Sequence, residues 1–524
     1  SFSDDDVPGN RYRNPGFAKA FVVDIPAGQA PGGVAEVFNN QTNLFCSGHA
    51  FLPDGRLFVT GGHAGRDYYG VADVNIFNYA GPNTWETRSG YSINYARWYG
   101  TALTLPNGEV LVLGGTIGGV GDPNPLPQVW QAGGGFRDLT TAQLKLKPYP
   151  KIYLAPNGKV FHVGPEQTTR FLDTAGTGQW TAGPSRQFGL RNYGPSALYD
   201  DGKLLVIGGA KIGVLPTNTA EVINLTVPVP AWRYTNPMRF ARRHANATVL
   251  PDGKVLVTGG SSSLAFNDAA GAILAAELWD PGPETWATMA SMQVPRIYHS
   301  TALLLPDGRV LSAGGGRPKA KNGGVQNENA EIYSPPYLFK GPRPMISSAP
   351  ASVGYGQTFT VGTPDPAGVA AARFIRLASV THTLDMNQRV KTLAFAPVPG
   401  GLNVTVPLDP NLLPPGHYML FLLNRAGVPS VARIIRVGWP GRRAHGGPRE
   451  SSSSACWCGA TSAGHLQPLK GRLKPGRAAR AAARGPARPR AAARTVARLG
   501  PVAPFSRPKG ACTRPRPWGC TCSG

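Results

Sequence analysis

Apolar positions along this chain come in short runs of Val, Leu, Ile and Ala, closed off by Gly, Pro, Asp and Asn. Thr301-Ala302-Leu303-Leu304-Leu305-Pro306-Asp307-Gly308-Arg309-Val310-Leu311 is representative. Runs this short, bounded by turn residues, predict β-strands rather than helices. The unit repeats: a turn of the Leu-Pro-Asp-Gly type recurs at Gly55, Gly108, Gly158, Gly202, Gly253 and Gly308, at intervals of 53, 50, 44, 51 and 55 residues. Most copies run on to a Gly-Gly pair, as at Gly61-Gly62, Gly114-Gly115, Gly208-Gly209, Gly259-Gly260 and Gly314-Gly315. Such a period fits the four short strands of a kelch-type β-propeller blade. Six copies are visible and a strand-like segment at 17–25 precedes them, so the expectation is a seven-bladed kelch-type propeller over residues 1–340, its first blade incomplete.

After Tyr333-Ser334-Pro335-Pro336-Tyr337-Leu338 the Gly-Gly period stops. Alternating strands such as Phe374-Ile375-Arg376-Leu377 and Tyr418-Met419-Leu420-Phe421-Leu422-Leu423 then predict an immunoglobulin-like β-sandwich over 341–440. From 441 to 524 the composition collapses to Ala, Arg, Pro, Gly and Ser, which cannot bury a core, and a disordered basic tail is expected.

Charge and cysteine sharpen that division. The chain carries +24, but 17 Lys and Arg against the single acidic Glu450 lie beyond Gly441, which leaves +8 on the 440 residues before it. Nucleic acid is therefore not an expected partner of the body. Five of the six cysteines, Cys456, Cys458, Cys512, Cys520 and Cys522, are also in the tail, so the body's Cys46 has no disulfide partner and must pack or react. No apolar run is long enough to cross a membrane as a helix. The chain opens Ser1-Phe2-Ser3-Asp4 without a signal peptide or a starting Met, as a processed or truncated chain would.

Aligned on their turns, the six repeats place Cys46, Tyr99, Tyr149, Tyr193, His244 and His299 at one register position, with Tyr298 beside His299. Blades stand around an axis, so these side chains should form a ring near one mouth of the channel. Tyr and His at strand starts can equally serve as packing residues, but a thiol, three phenols and two imidazoles at one height, with no carboxylate, suit copper or iron better than calcium or magnesium. The ring carries no carboxylate pair for glycoside hydrolysis, and the chain has no nucleophile elbow and no P-loop.

Four motifs, Leu44-Phe45-Cys46-Ser47-Gly48, Ala96-Arg97-Trp98-Tyr99, Arg296-Ile297-Tyr298-His299-Ser300 and Ser379-Val380-Thr381-His382-Thr383 with Gln388-Arg389, occur in the order found in the galactose oxidase and glyoxal oxidase family, which residues 43–437 resemble. The resemblance implies a mononuclear copper radical oxidase. Cys46 and Tyr99 would be joined by a thioether as a protein-derived radical cofactor, Tyr99, Tyr298, His299 and His382 would bind one copper ion, and Tyr298 would be the general base. The implied reaction oxidises a primary alcohol or small aldehyde with O2, giving the aldehyde or acid and H2O2, and implies a secreted or cell-surface protein, expected to be a monomer. Galactose oxidases hold a Trp over the thioether; Ile117 stands at that position, which leaves Trp98 as the candidate cover. Tyr149, Tyr193 and His244 have no ligand role by resemblance and are expected to support the site or face substrate. An N-terminal carbohydrate-binding domain is also absent, so galactose is not the expected substrate. A non-catalytic binding propeller and an inactive truncated oxidase remain open alternatives at this point.

Overall fold

The computed structural model describes residues 20–25, 33–37, 39, 42–65, 67–79, 83–87, 93–119, 121–131, 134–316 and 327–439. The tail expected beyond 441, with its five cysteines, lies outside these residues. Among the described residues the fold is all-β apart from short 3-10 turns such as Ala269–Gly271 and Pro336–Phe339.

Six antiparallel meanders form the first part. The second runs Trp98–Thr104, Val110–Thr116, Gln128–Gln131 and Gly135–Asp138; the fifth runs Arg243–Val249, Val255–Ser261, Ala275–Asp280 and Thr285–Ser291. Five of these sheets have four strands, and the sixth, starting at Thr301–Leu304, has three. Burial falls from the inside outward: Trp98–Thr104 is buried at every position, whereas Thr285–Ser291 is largely exposed. The expectation of seven blades is corrected to six among the described residues. The turn that builds the inner hairpin of a blade occurs six times, five of them followed by Gly-Gly; the segment before it contributes only the two-stranded ladder of Ala20–Val23 with Val34–Val37.

A buried arginine accompanies four of the five Gly-Gly pairs. Arg97, Arg191, Arg242 and Arg296 donate to the carbonyls of Gly114, Gly208, Gly259 and Gly314 at 2.7, 2.8, 2.9 and 2.9 Å. Each is also hydrogen-bonded to a polar residue on the third strand of its blade: Gln128, Glu221, Glu277 and Glu331. The next blade approaches so closely that a Cβ on Gly259 would sit 2.2 Å from the Arg296 carbonyl oxygen, and Gly259 has φ +69°, so only glycine fits.

The second part is a seven-stranded arrangement in the order Ser352–Gly354, Arg433–Gly438, Gly416–Asn424, Val369–Arg376, Val390–Val398, Gly401–Thr405, Thr358–Gly362. Val390–Val398 pairs with Val369–Arg376 along its first half and with Gly401–Thr405 along its second. One strand thus serves both faces of the expected immunoglobulin-like sandwich. Its core includes Val361, Phe374, Leu402, Tyr418 and Leu420, each with no exposed surface.

Between Val369–Arg376 and Val390–Val398 the chain leaves the sheet as a small hairpin, Val380–Thr381 paired with Leu384–Asp385. This hairpin enters the propeller. Gln388 bonds the backbone N–H and carbonyl of Val249, Arg389 donates to the Leu154 carbonyl, and Ser379 bonds both the ring nitrogen and the carbonyl of His49.

Candidate metal centre

All six register residues have left-handed backbone: φ is 61° at Cys46, 64° at Tyr99, 49° at Tyr149, 51° at Tyr193, 63° at His244 and 68° at His299. That conformation is uncommon for residues with a Cβ and marks positions held by their surroundings. Here the restraint is a chain of inter-blade hydrogen bonds: Tyr99 N–H donates to the Cys46 carbonyl, Tyr149 N–H to that of Tyr99, and His244 N–H to that of Tyr193. The arrangement turns the register side chains toward one another.

The hairpin from the second part supplies the remaining member. His382 and Thr383 occupy its two-residue turn with φ 45° and 71°, as a type I′ turn requires. The adjacent loop is held by Asp385, whose Oδ1 accepts from the backbone N–H groups of Ser379, Asn387 and Gln388 at 2.9–3.0 Å.

At the meeting point, Cys46 Sγ lies 3.9 Å from His382 Nε2, and the donor atoms of Cys46, His299 and His382 are all within 4.8 Å of one another. The hydroxyls of Tyr99 and Tyr298 are in direct hydrogen-bond contact. His299 Nδ1 donates to the Gly316 carbonyl at 3.1 Å, and His382 Nδ1 is hydrogen-bonded to Thr381 Oγ1 at 2.7 Å. The first bond leaves Nε2 as the lone-pair end of the His299 ring, and a ligating Nε2 on His382 makes its Nδ1 the donor to Thr381.

The electrostatics are those of a dry, neutral, electron-rich pocket. Burial, then the neighbouring Cys46, Tyr298, Tyr193 and Tyr149, hold the Tyr99 phenol well above its ordinary range. Burial, then His299, His244 and His49, hold His382 well below the usual imidazole range. A cation would reverse the first effect by stabilising phenolate, and neutral imidazoles are ready to bind one. Among the described residues no carboxylate joins the group. Sulfur, imidazole and phenol donors fit copper.

The other expected residues sort themselves by contact. Trp98 stacks on Tyr99 with centroids 3.6 Å apart at 8°, and Tyr149 covers the other face at 4.5 Å and 25°. Tyr149 hydroxyl donates to the Ser47 carbonyl. Ile117 lies outside the apolar cluster of Cys46, Trp98, Tyr99, Tyr149, Leu384 and Met386. Tyr193 packs edge-on against Tyr298, 5.7 Å between centroids. His244 does not join the metal-ligating group: its Nε2 donates to the Phe266 carbonyl at 2.7 Å and thereby anchors a loop.

That loop brings Phe266, which the sequence reading missed, against Tyr298 at 4.8 Å and Tyr193 at 5.1 Å. Phe266 lies in an irregular stretch after Gly259-Gly260 with no periodic pattern. Its only sequence signal is an aromatic residue in an otherwise small and polar loop.

Comparison with known proteins agrees with this geometry. The family model described as Glyoxal oxidase N-terminus matches residues 210–337, and that described as Galactose oxidase-like, Early set domain matches residues 343–437. An aldehyde oxidase, GLOX, of Vitis pseudoreticulata is 31% identical over 441 residues, covering 76% of this chain and 82% of that protein. A galactose oxidase of Gibberella zeae is 29% identical over 428 residues, 75% of this chain and 61% of that one. The solved structure of a fungal alcohol oxidase in complex with copper matches with a TM-score of 0.71 and 27% identity, covering 81% of this chain and 96% of that one.

Proposed function

The chain belongs to the galactose oxidase and glyoxal oxidase family of mononuclear copper radical oxidases, and from that premise we propose that Tyr99, Tyr298, His299 and His382 hold its copper while Cys46 and Tyr99, once joined, store the second electron. The observation that carries the assignment is the convergence of Cys46, His299 and His382 donor atoms within 4.8 Å, beside the paired Tyr99 and Tyr298 hydroxyls.

The reaction is RCH2OH + O2 → RCHO + H2O2, or its counterpart on the hydrate of a small aldehyde, giving the acid. Two electrons and two protons leave the substrate and both pairs end on O2. Bound copper supplies a Lewis acid and a one-electron acceptor where these donors meet. The protein supplies the rest. Tyr298 takes the substrate hydroxyl proton at its phenol oxygen, with the Tyr193 ring packed edge-on against its own. Tyr99, with a thioether sulfur donating into its ring, receives the hydrogen atom from the substrate carbon. Trp98 and Tyr149 cover both faces of that ring and keep water from it.

Domain boundaries near 340 and 440 belong to the same reading, supported by the early-set match at 343–437. So do secretion and a monomeric state. Among the described residues no helix is long and apolar enough to cross a membrane.

The test is peptide mass spectrometry after aerobic copper loading, together with H2O2 release from alcohols and aldehydes. A Cys46–Tyr99 crosslinked pair, two hydrogens lighter than the sum of its peptides, is the expected result. Stoichiometric copper with Cys46 still a free thiol would overturn the residue assignment.

A further inference from the structure

In the first, second and sixth blades the residue just before the register residue also approaches the site; Phe45 packs edge-on against His299. Trp98 there stacks on Tyr99, and Tyr298 contacts the Tyr99 hydroxyl. In the fifth blade the same place is taken by Arg243, only 6% exposed.

Its neighbour Arg242 is the structural arginine of the blade and pairs with Glu277 at 2.5 Å. Arg243 differs. None of the ion pairs among the described residues includes it; Nη2 donates to the Leu264 carbonyl at 2.9 Å, and Nε, like that of Arg242, is buried with no hydrogen-bond partner. The guanidinium lies over Phe266, its carbon 5.3 Å from the ring centroid. Phe266 in turn contacts Tyr298 at 4.8 Å and remains 40% exposed. An unpaired guanidinium therefore stands one aromatic ring from the residue that takes the substrate proton, beside a side chain that reaches solvent.

A buried cation without a counter-charge is costly, and an arriving anion relieves that cost. Guanidinium presents its N–H donors in a fork that matches a carboxylate. We propose that Arg243 is an anion-binding point of the substrate site, selecting small aldehydes or primary alcohols that carry a carboxylate about one ring's width from the carbon oxidised. The inference rests on the oxidase reading above for its reaction, and on Arg243 alone for its selectivity.

Two measurements separate those dependencies. The first compares copper-loaded protein on 4-oxobutanoate and its neutral isostere 4-oxobutanamide. Wild type is expected to favour the acid at least tenfold in kcat/KM, mainly through KM, as a charge-assisted hydrogen bond allows. Arg243→Gln is expected to bring the ratio to about one, and Arg243→Lys to restore part of it. The second is calorimetric titration of copper-free protein with butanoate, which reports no turnover: binding to wild type and its loss in Arg243→Gln are expected. If the glutamine variant does not fold, Arg243→Lys carries both tests, because loss of the fork still lowers the ratio severalfold. An acid-to-amide ratio and a butanoate affinity both indifferent to residue 243 would overturn the proposal. Arg243-dependent butanoate binding with oxidation of neither aldehyde would instead fault the oxidase reading and leave the anion site standing.

Discussion

Tyr298 and Trp98 both sit one residue before a register position, yet the proposed reaction gives them different parts, and each can be measured. Tyr298 reaches the Tyr99 hydroxyl and packs against Tyr193. Replacing it with Phe removes the proposed proton acceptor while keeping the ring contacts to Phe266 and His299. Tyr298→Phe is therefore expected to lower kcat by about 10²–10⁴ with little change in KM, measured by steady-state H2O2 release; a purely structural phenol would leave kcat within a few-fold. Trp98 holds no proton. Its indole is parallel to Tyr99 within 8°, so Trp98→Ala opens one face of the ring to water. The expected outcome is a shorter-lived phenoxyl absorbance in oxidised, substrate-free protein, with Cys46–Tyr99 crosslinking retained. An unchanged decay time would remove Trp98 from its covering role.

At the scale of elements, the hairpin carrying His382 shows how much of the site rests on one buried carboxylate. Asp385 collects three backbone N–H groups, and burial raises its pKa while those same bonds lower it. Asp385→Ala leaves three buried donors without a partner and frees the loop that aims His382. Copper affinity in equilibrium dialysis should fall at least tenfold, and Asp385→Asn, which keeps one acceptor oxygen, should recover much of it. Equal affinities for both variants would mean that the turn holds itself. The same comparison shows what sequence alone can reveal. Pro-Asp-Gly turns, Gly-Gly pairs and the register residues are local to one hairpin, so counting from the turn found Cys46, Tyr99 and His299 together. The arginine clamp was visible as letters, but Arg242 meets Glu277 across 35 residues and Arg296 meets Glu331 across the same distance. Nothing local announces such pairs. Phe266 and Asp385 were missed for a related reason: their roles come from where a loop ends, which neither periodicity nor turn chemistry encodes. The strand-like segment at 17–25 lacks the turn signature, and among the described residues it forms a two-stranded ladder rather than a seventh meander.

For the molecule as a whole, stability should carry the mark of Lys151, in the first strand of the third blade. Its ammonium is 5% exposed, its nitrogen has no hydrogen-bond partner, and Arg186 and Arg191 are its charged neighbours. Burial first, and those two guanidinium groups next, lower its pKa from 10.5 to about 7. The unfolded chain binds the proton below about 10.5 and the folded one only below about 7, so each pH unit descended between these values favours unfolding. The destabilisation is absent above the upper value, grows as pH falls, and is complete below the lower one. At 1.36 kcal/mol per unit it reaches about 4–5 kcal/mol, and Lys151→Met abolishes it without opening a cavity of any size. Denaturant unfolding of wild type and variant should therefore differ most at pH 6 and converge toward pH 10, apart from a constant gained by burying the thioether. A stability difference that stays flat across that range would show that Lys151 keeps its proton in the folded protein, with a counter-charge drawn from the solvent.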